Sequence, residues 1–158
     1  IQMANMCAAI ANRGYYFTPH VVRKIGGKAI TDSTYTVAKH TSIEEKHFKT
    51  IIKGMEKVYT SHYGTAKNAR VKNIEICGKT GTAENPHGED HSIFIAFAPK
   101  KNPQIAIAVY IENGGWGSTW AAPVASLMTE KYLTGQVNST EREDFILNGN
   151  LMDKENEK

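Results

Sequence analysis

Met3, Met6, Cys7 and Ile10 recur at i, i+3, i+4 and i+7, the spacing of one helical face, and Asn12-Arg13-Gly14 closes the run. The face is expected to pack in a core, with Met3, Met6 and Cys7 filling it. Tyr15 to His20 is expected to connect. Val21, Val22 and Ile25 suggest a short strand before Gly26-Gly27, and a second short β segment is expected over about 29–37. Ser42-Ile43-Glu44-Glu45 has the form of a capping box. Phe48, Ile51, Ile52, Met55, Val58 and Tyr59 then mark a helix of about five turns, with His47 outside the stripe, and 61–66 ends it.

From Ile74 the period changes to two. Residues 74–84, 92–98 and 104–112 predict three strands joined by short links, an antiparallel meander. The last two are apolar on both faces. Ile105, Ile107, Val109 and Ile111 alternate with Ala106 and Ala108, so helices are expected to cover both sides, one approaching closely over the alanines. Pro123 belongs in the first turn of a further helix. That helix starts near 119–121, continues through Val124, Ala125, Leu127, Met128 and Tyr132, and stops at Thr134-Gly135. Residues 136–158 are polar and acidic, with Phe145, Ile146, Leu147 and Leu151 as apolar anchors for one short docking segment.

Composition narrows the class. A chain of 158 residues, 41% hydrophobic and 22% charged, builds a packed core. No apolar run approaches the roughly 20 residues of a membrane span. Cys7 and Cys77 make no disulfide scaffold, and a net charge of +3 is too mild and too evenly spread for nucleic acid. The opening at Ile1, already inside a helical repeat, is expected of a piece of something longer.

Lys79-Thr80-Gly81-Thr82 is the chemical centre of the chain. A phosphate-binding loop needs glycine five residues before Gly78, where Asn73 stands, and a following helix in place of strand periodicity. Two readings stay open on residues alone. One is a solubilising lysine on an edge strand. The other is an anion-recognising strand in an acyl-transfer enzyme. There Lys79 supplies charge, Thr80 and Thr82 supply hydroxyl donors, Gly81 opens the backbone to substrate, and the Thr82 N–H serves as an oxyanion donor. Period two puts Lys79 on one face and both threonines on the other, so all three serve one ligand only along an open strand edge.

The context of this Lys-Thr-Gly is Gly78-Lys79-Thr80-Gly81-Thr82-Ala83-Glu84, then DHSIFIAFAP over 90–99, IAVYIENGG over 107–115 and AAPVA over 121–125. It resembles the C-terminal part of the transpeptidase domain of class B penicillin-binding proteins, in which Lys-Thr-Gly is an active-site motif. The resemblance covers about 1–135, leaving 136–158 as a polar acidic tail. It implies an α/β fold of α+β type, an antiparallel sheet flanked by helices. It implies a serine D,D-transpeptidase that cross-links peptidoglycan stem peptides ending in D-Ala-D-Ala and binds β-lactams. D,D-carboxypeptidase, β-lactamase or a non-enzymatic β-lactam sensor are the alternatives. It implies no cofactor, other cell-wall elongation proteins as partners, and a parent anchored in the bacterial inner membrane with this domain facing the periplasm. The catalytic pair is then Lys79 and Thr82, within a substrate-binding set of Lys79, Thr80, Gly81 and Thr82. His91 and Trp116 are expected at the cleft rim. None of the seven serines (33, 42, 61, 92, 118, 126, 139) has lysine three residues on or asparagine two residues on. The family's Ser-x-x-Lys and Ser-x-Asn motifs are therefore expected outside this chain, and the chain alone is expected to be inactive.

Weaker candidates remain. His87-Gly88-Glu89-Asp90-His91 has metal-like spacing, but Pro86 and Gly88 argue for a loop, and no metal is expected. Trp116 and Trp120 flank a glycine turn. Cys77 is expected as a buried free thiol.

Overall fold

The computed structural model describes residues 1–151. Helix α1 (Gln2–Ala11) leads into β1 (Tyr15–Tyr16), then β2 (Lys24–Ile25) and β3 (Lys28–Ala29). Helical turn α2 (Ser33–Thr36), β4 (Lys39–His40) and helix α3 (Glu45–Thr60) follow, with a 3-10 turn at Lys67–Ala69. The main sheet is β5 (Cys77–Ala83), β6 (His91–Ala98) and β7 (Ile105–Ile111), then come helices α4 (Ala121–Thr134) and α5 (Thr140–Asn148).

The meander forms as the alternation predicts: β5, β6 and β7 pair antiparallel in chain order. Lys79 lies opposite Ile95, Gly81 opposite Ile93 and Thr82 opposite Ser92. Strand β5 is an edge. Both faces are covered, because β6 carries apolar side chains on each. Phe94, Ala96 and Ala98 pack with Ile107, Tyr59 and the α4 alanines Ala121, Ala122 and Ala125. Ile95 and Phe97 pack with Cys7 and Ala11 of α1 and with Phe48, Ile52 and Met55 of α3. Ala106 and Ala108 lie under α1, where small side chains permit close approach.

Several local expectations are corrected. Met3 and Met6 are exposed, and the α1 core contact is made by Cys7 and Ala11. The anticipated strand at Val21 and Val22 is only Lys24–Ile25, turned through Gly26 and Gly27 (φ 56° and 79°) onto Lys28–Ala29. The β segment expected over 29–37 gives way to α2, because Asp32 Oδ1 caps the Thr34 N–H at 2.8 Å. No capping box forms at Ser42. The Thr41 N–H is held by Gly14 O at 2.8 Å, beside the β1–β4 pair, and α3 begins only at Glu45 with Glu44 as its N-cap. Ile51 is exposed although it belongs to the predicted stripe.

Helix α4 buries its small side chains. Ala122, Ala125, Ser126 and Thr129 face inward, and Met128 and Tyr132 are exposed. The Phe94 and Tyr59 rings, edge-to-face at 5.8 Å, fill the side of the sheet against which Ala121, Ala122 and Ala125 pack, and these small side chains fit over them. Tyr59 Oη and Ser126 Oγ share a hydrogen bond at 3.1 Å inside the interface. Residues 140–148, within the segment read as a polar tail, form α5. Phe145 stacks on Trp120 at 5.1 Å, and Arg142 donates to Arg70 O at 2.9 Å and Asn68 O at 3.3 Å. Residues 152–158 of that tail lie outside the described residues.

Candidate active site

Strand β5 brings Lys79, Thr80, Gly81 and Thr82 to the free edge of the sheet. Its far side is held by the β6 ladder, so this edge presents backbone groups without a strand partner among the described residues. The face problem posed by period two has a geometric answer. Lys79 leaves one face, yet its Nζ curls to the strand's own backbone and donates to Thr80 O at 2.7 Å. Thr80 O therefore faces the open edge. In an antiparallel ladder N–H and C=O of one residue point the same way, and the direction repeats every second residue. The Thr82 N–H is thus aimed at the same edge, beside the Lys79 ammonium. Lys79 and Thr82 are both exposed.

Thr80 Oγ1 lies 3.0 Å from Thr65 Oγ1. Thr65 sits on the turn that ends α3, which is fastened by Gly64 N to Ser61 O at 2.9 Å and by Ala66 N to Val58 O at 3.0 Å. Ala66 is buried in the core. The turn's backbone is fixed while the Thr65 side chain stands exposed. Beyond Thr65 a polar cavity of about 800 Å³ opens, lined among others by Lys67, Asn68, Thr119 and Arg142.

The turn between β7 and α4 braces β5 from one face. Ser92 Oγ donates to Trp116 O at 3.0 Å and accepts the Ala121 N–H at 3.2 Å, capping α4 from the sheet. Gly117 crosses directly over the Gly81–Ile93 pair, and a Cβ at 117 would overlap both carbonyl oxygens. At Gly81 itself an added Cβ would meet only Ile93, at 3.4 Å from its Cβ. Packing within the chain does not require glycine there.

His91 opens β6 opposite Ala83, as its position next to the Lys79 strand predicts. Its Nδ1 accepts the Asn113 N–H at 3.1 Å and its ring lies 5.3 Å from Tyr110. Asn85 Nδ2 donates to Asn113 Oδ1 at 2.8 Å and the Gly115 N–H to Asp90 O at 2.6 Å, so the loops at this end of the sheet are laced together. Trp116 is 74% exposed, and its carbonyl accepts the Ser92 hydroxyl and the Thr119 N–H. The cysteines are buried free thiols, both pushed up to about 12, first by burial.

Thr65, Ser92 and Gly117 were not singled out by the sequence. Ser92 carried a signal, a hydroxyl at a core-facing position of an apolar strand. Thr65 carried none, because its partner Thr80 is 15 residues away across a turn.

A helix-covered antiparallel sheet with Lys-Thr-Gly-Thr on its free edge is the arrangement expected of one wall of a penicillin-binding transpeptidase site. The profile of the penicillin binding protein transpeptidase domain matches residues 1–130, and the chain belongs to that family. The peptidoglycan D,D-transpeptidase MrdA of Haemophilus influenzae is 28% identical over 160 residues, 90% of this chain and 25% of that protein. The crystal structure of Pseudomonas aeruginosa PBP2 in complex with WCK 5153 superposes with a TM-score of 0.74 at 34% identity. That match covers 89% of this chain and 31% of that one. The imipenem acyl-enzyme complex of penicillin-binding protein A from M. tuberculosis gives 0.67 at 28% identity, covering 83% of this chain and 30% of that one. The chain thus spans about a quarter to a third of the length of these three relatives.

Proposed function

We propose that this chain is the carboxylate-binding wall of a serine D,D-transpeptidase. Residues 1–135 would form the C-terminal part of the transpeptidase domain, with 136–158 appended to it. The observation that supports the reading is the β5 edge, where Lys79 Nζ donates to Thr80 O at 2.7 Å and Lys79 and Thr82 are exposed. A stem peptide ending in D-Ala-D-Ala, or a β-lactam, lays its carboxylate against Lys79, Thr80 and Thr82. The scissile carbonyl then sits at the Thr82 N–H, which takes part of the oxyanion charge. Glycine at 81, which packing within the chain does not demand, lets ligand lie against the strand. Contact with His91 and Trp116 at the rim completes the wall.

The nucleophile comes from outside these residues, since no serine here stands in Ser-x-x-Lys. Serine attack releases the terminal D-Ala and leaves an acyl-enzyme. An amine of a neighbouring stem then displaces the serine and takes the acyl group. No chemistry in this account calls for a cofactor. Among the described residues no helix is long and apolar enough to cross a membrane. Anchoring in the inner membrane with this domain facing the periplasm, and contact with other elongation proteins, would belong to the parent protein.

The test is turnover of a D-Ala-D-Ala stem peptide by the full-length protein with an acceptor amine present. Cross-linked product is expected, and the isolated 158-residue chain should form no penicillin adduct that survives denaturation. Release of D-Ala to water alone would favour a carboxypeptidase, and a labelled isolated chain would overturn the placing of the nucleophile.

A further inference from the structure

We infer that Thr65 is a positioning residue for the substrate carboxylate, acting through the hydroxyl of Thr80; this rests on the reading of β5 as the carboxylate site. The argument is one of proton count. Each threonine hydroxyl has one proton to donate and lone pairs to accept with. The two oxygens lie 3.0 Å apart, and the bond can run either way in the free protein. An anion on Thr80 removes the choice. Thr80 can donate to a carboxylate only if its proton points away from Thr65, so Thr65 must donate to Thr80 Oγ1. The chain becomes Thr65 O–H to Thr80 O–H to carboxylate. Donation from Thr65 polarises the Thr80 hydroxyl and strengthens its bond to the anion.

The local structure suits that role. Thr65 is presented by the turn fastened to the end of α3, and buried Ala66 follows it. Its hydroxyl is held on a fixed backbone against Thr80 Oγ1, and Thr80 is only half-buried, so its hydroxyl can take a second partner. A merely structural tie between turn and strand would not depend on what Thr80 binds. The positioning role does, and only for ligands with an anionic carboxylate.

The experiment uses the full-length protein and a penicillin as free acid and as its methyl ester. Second-order acylation rates are measured for wild type, Thr65→Val, Thr65→Ser, Thr80→Val and the double Val variant, with melting temperatures in parallel. Thr65→Val should slow the acid about five- to tenfold, the scale of one neutral supporting hydrogen bond, and leave the ester within about twofold. Thr65→Ser should restore the acid rate, and Thr65→Val should add nothing once Thr80 is Val. Equal slowing of acid and ester, no rescue by serine, or an undiminished loss in the Thr80→Val background would overturn the inference. So would a normal acid rate for Thr65→Val beside a slow Thr80→Val. If Thr80→Val itself leaves the acid rate unchanged, the carboxylate reading of β5 fails and takes this inference with it.

Discussion

The backbone of residue 117 lies so close to the sheet that its side chain is settled by sterics. A methyl group there would overlap Gly81 O and Ile93 O, both in the ladder beside Lys79 and Thr82. Neither oxygen can retreat without shifting β5 or β6. Gly117→Ala should therefore cost about 1–3 kcal/mol of stability, the usual penalty for overpacking, and slow β-lactam acylation in the full-length protein. Gly54→Ala is the control. It lies in α3 with nothing within 4 Å of the added Cβ, and alanine there should be neutral or stabilising. Urea unfolding of both variants, beside acylation rates, checks the pair. A Gly117→Ala protein as stable and as reactive as wild type would show that the turn does not brace the strand.

At the scale of elements, α5 turns on one aromatic stack. Phe145 and Trp120 lie 5.1 Å apart with their planes 23° from parallel, and the chain after the helix returns onto the same ring, since a Cβ at Gly149 would collide with Trp120. Phe145→Ala should remove about 0.5–1.5 kcal/mol of stacking plus the buried ring area, and release α5 from α4. Hydrogen exchange should then quicken across 140–148 and stay slow in β6. Unchanged protection of 140–148 would mean that Arg142, bonded to Arg70 O, suffices to dock the helix. The meander and α3 were legible in the sequence because long periodic runs override local ambiguity. Three things were not. The start of α3 was misread because a tertiary bond from Thr41 to Gly14 holds Ser42 out of the capping position. The inward face of α4 was missed because alanine and serine carry almost no hydrophobic signal. Helix α5 was read only as a short docking segment within a polar tail, because its few apolar residues form no stripe, and its partner Trp120 is remote in sequence. At the site, Lys79 to Thr82 were legible as a motif on a predicted edge, whereas the Thr65–Thr80 and Gly117–Gly81 contacts exist only once the chain has folded.

Taken as one body, the molecule is organised about β6, whose two faces hold the two halves of the core together. The buried thiols of Cys7 and Cys77, both on the α1 and α3 side, give that core a pH limit. Their folded values are pushed up to about 12 from an ordinary 9.0. Below pH 9 both states hold the protons and stability is unaffected. Between about 9 and about 12 the unfolded thiols ionise and the folded ones do not, so stability falls as pH rises. A Cys7→Ala, Cys77→Ala chain should be less stable at neutral pH but lose less across that window, as read by urea unfolding at several pH values. Equal losses in the two chains would contradict it. The central claim, that the free edge of this sheet binds a ligand carboxylate, is tested most directly by Lys79. Acylation of the full-length protein by a penicillin should fall about 100- to 1,000-fold in Lys79→Ala, the scale of losing one oxyanion donor. Lys79→Arg should recover only part, because a planar fork does not replace a compact ammonium. A loss below about threefold at equal thermal stability, less than about 1 kcal/mol of transition-state energy, would contradict the claim and leave Lys79 as a solubilising lysine on an edge strand.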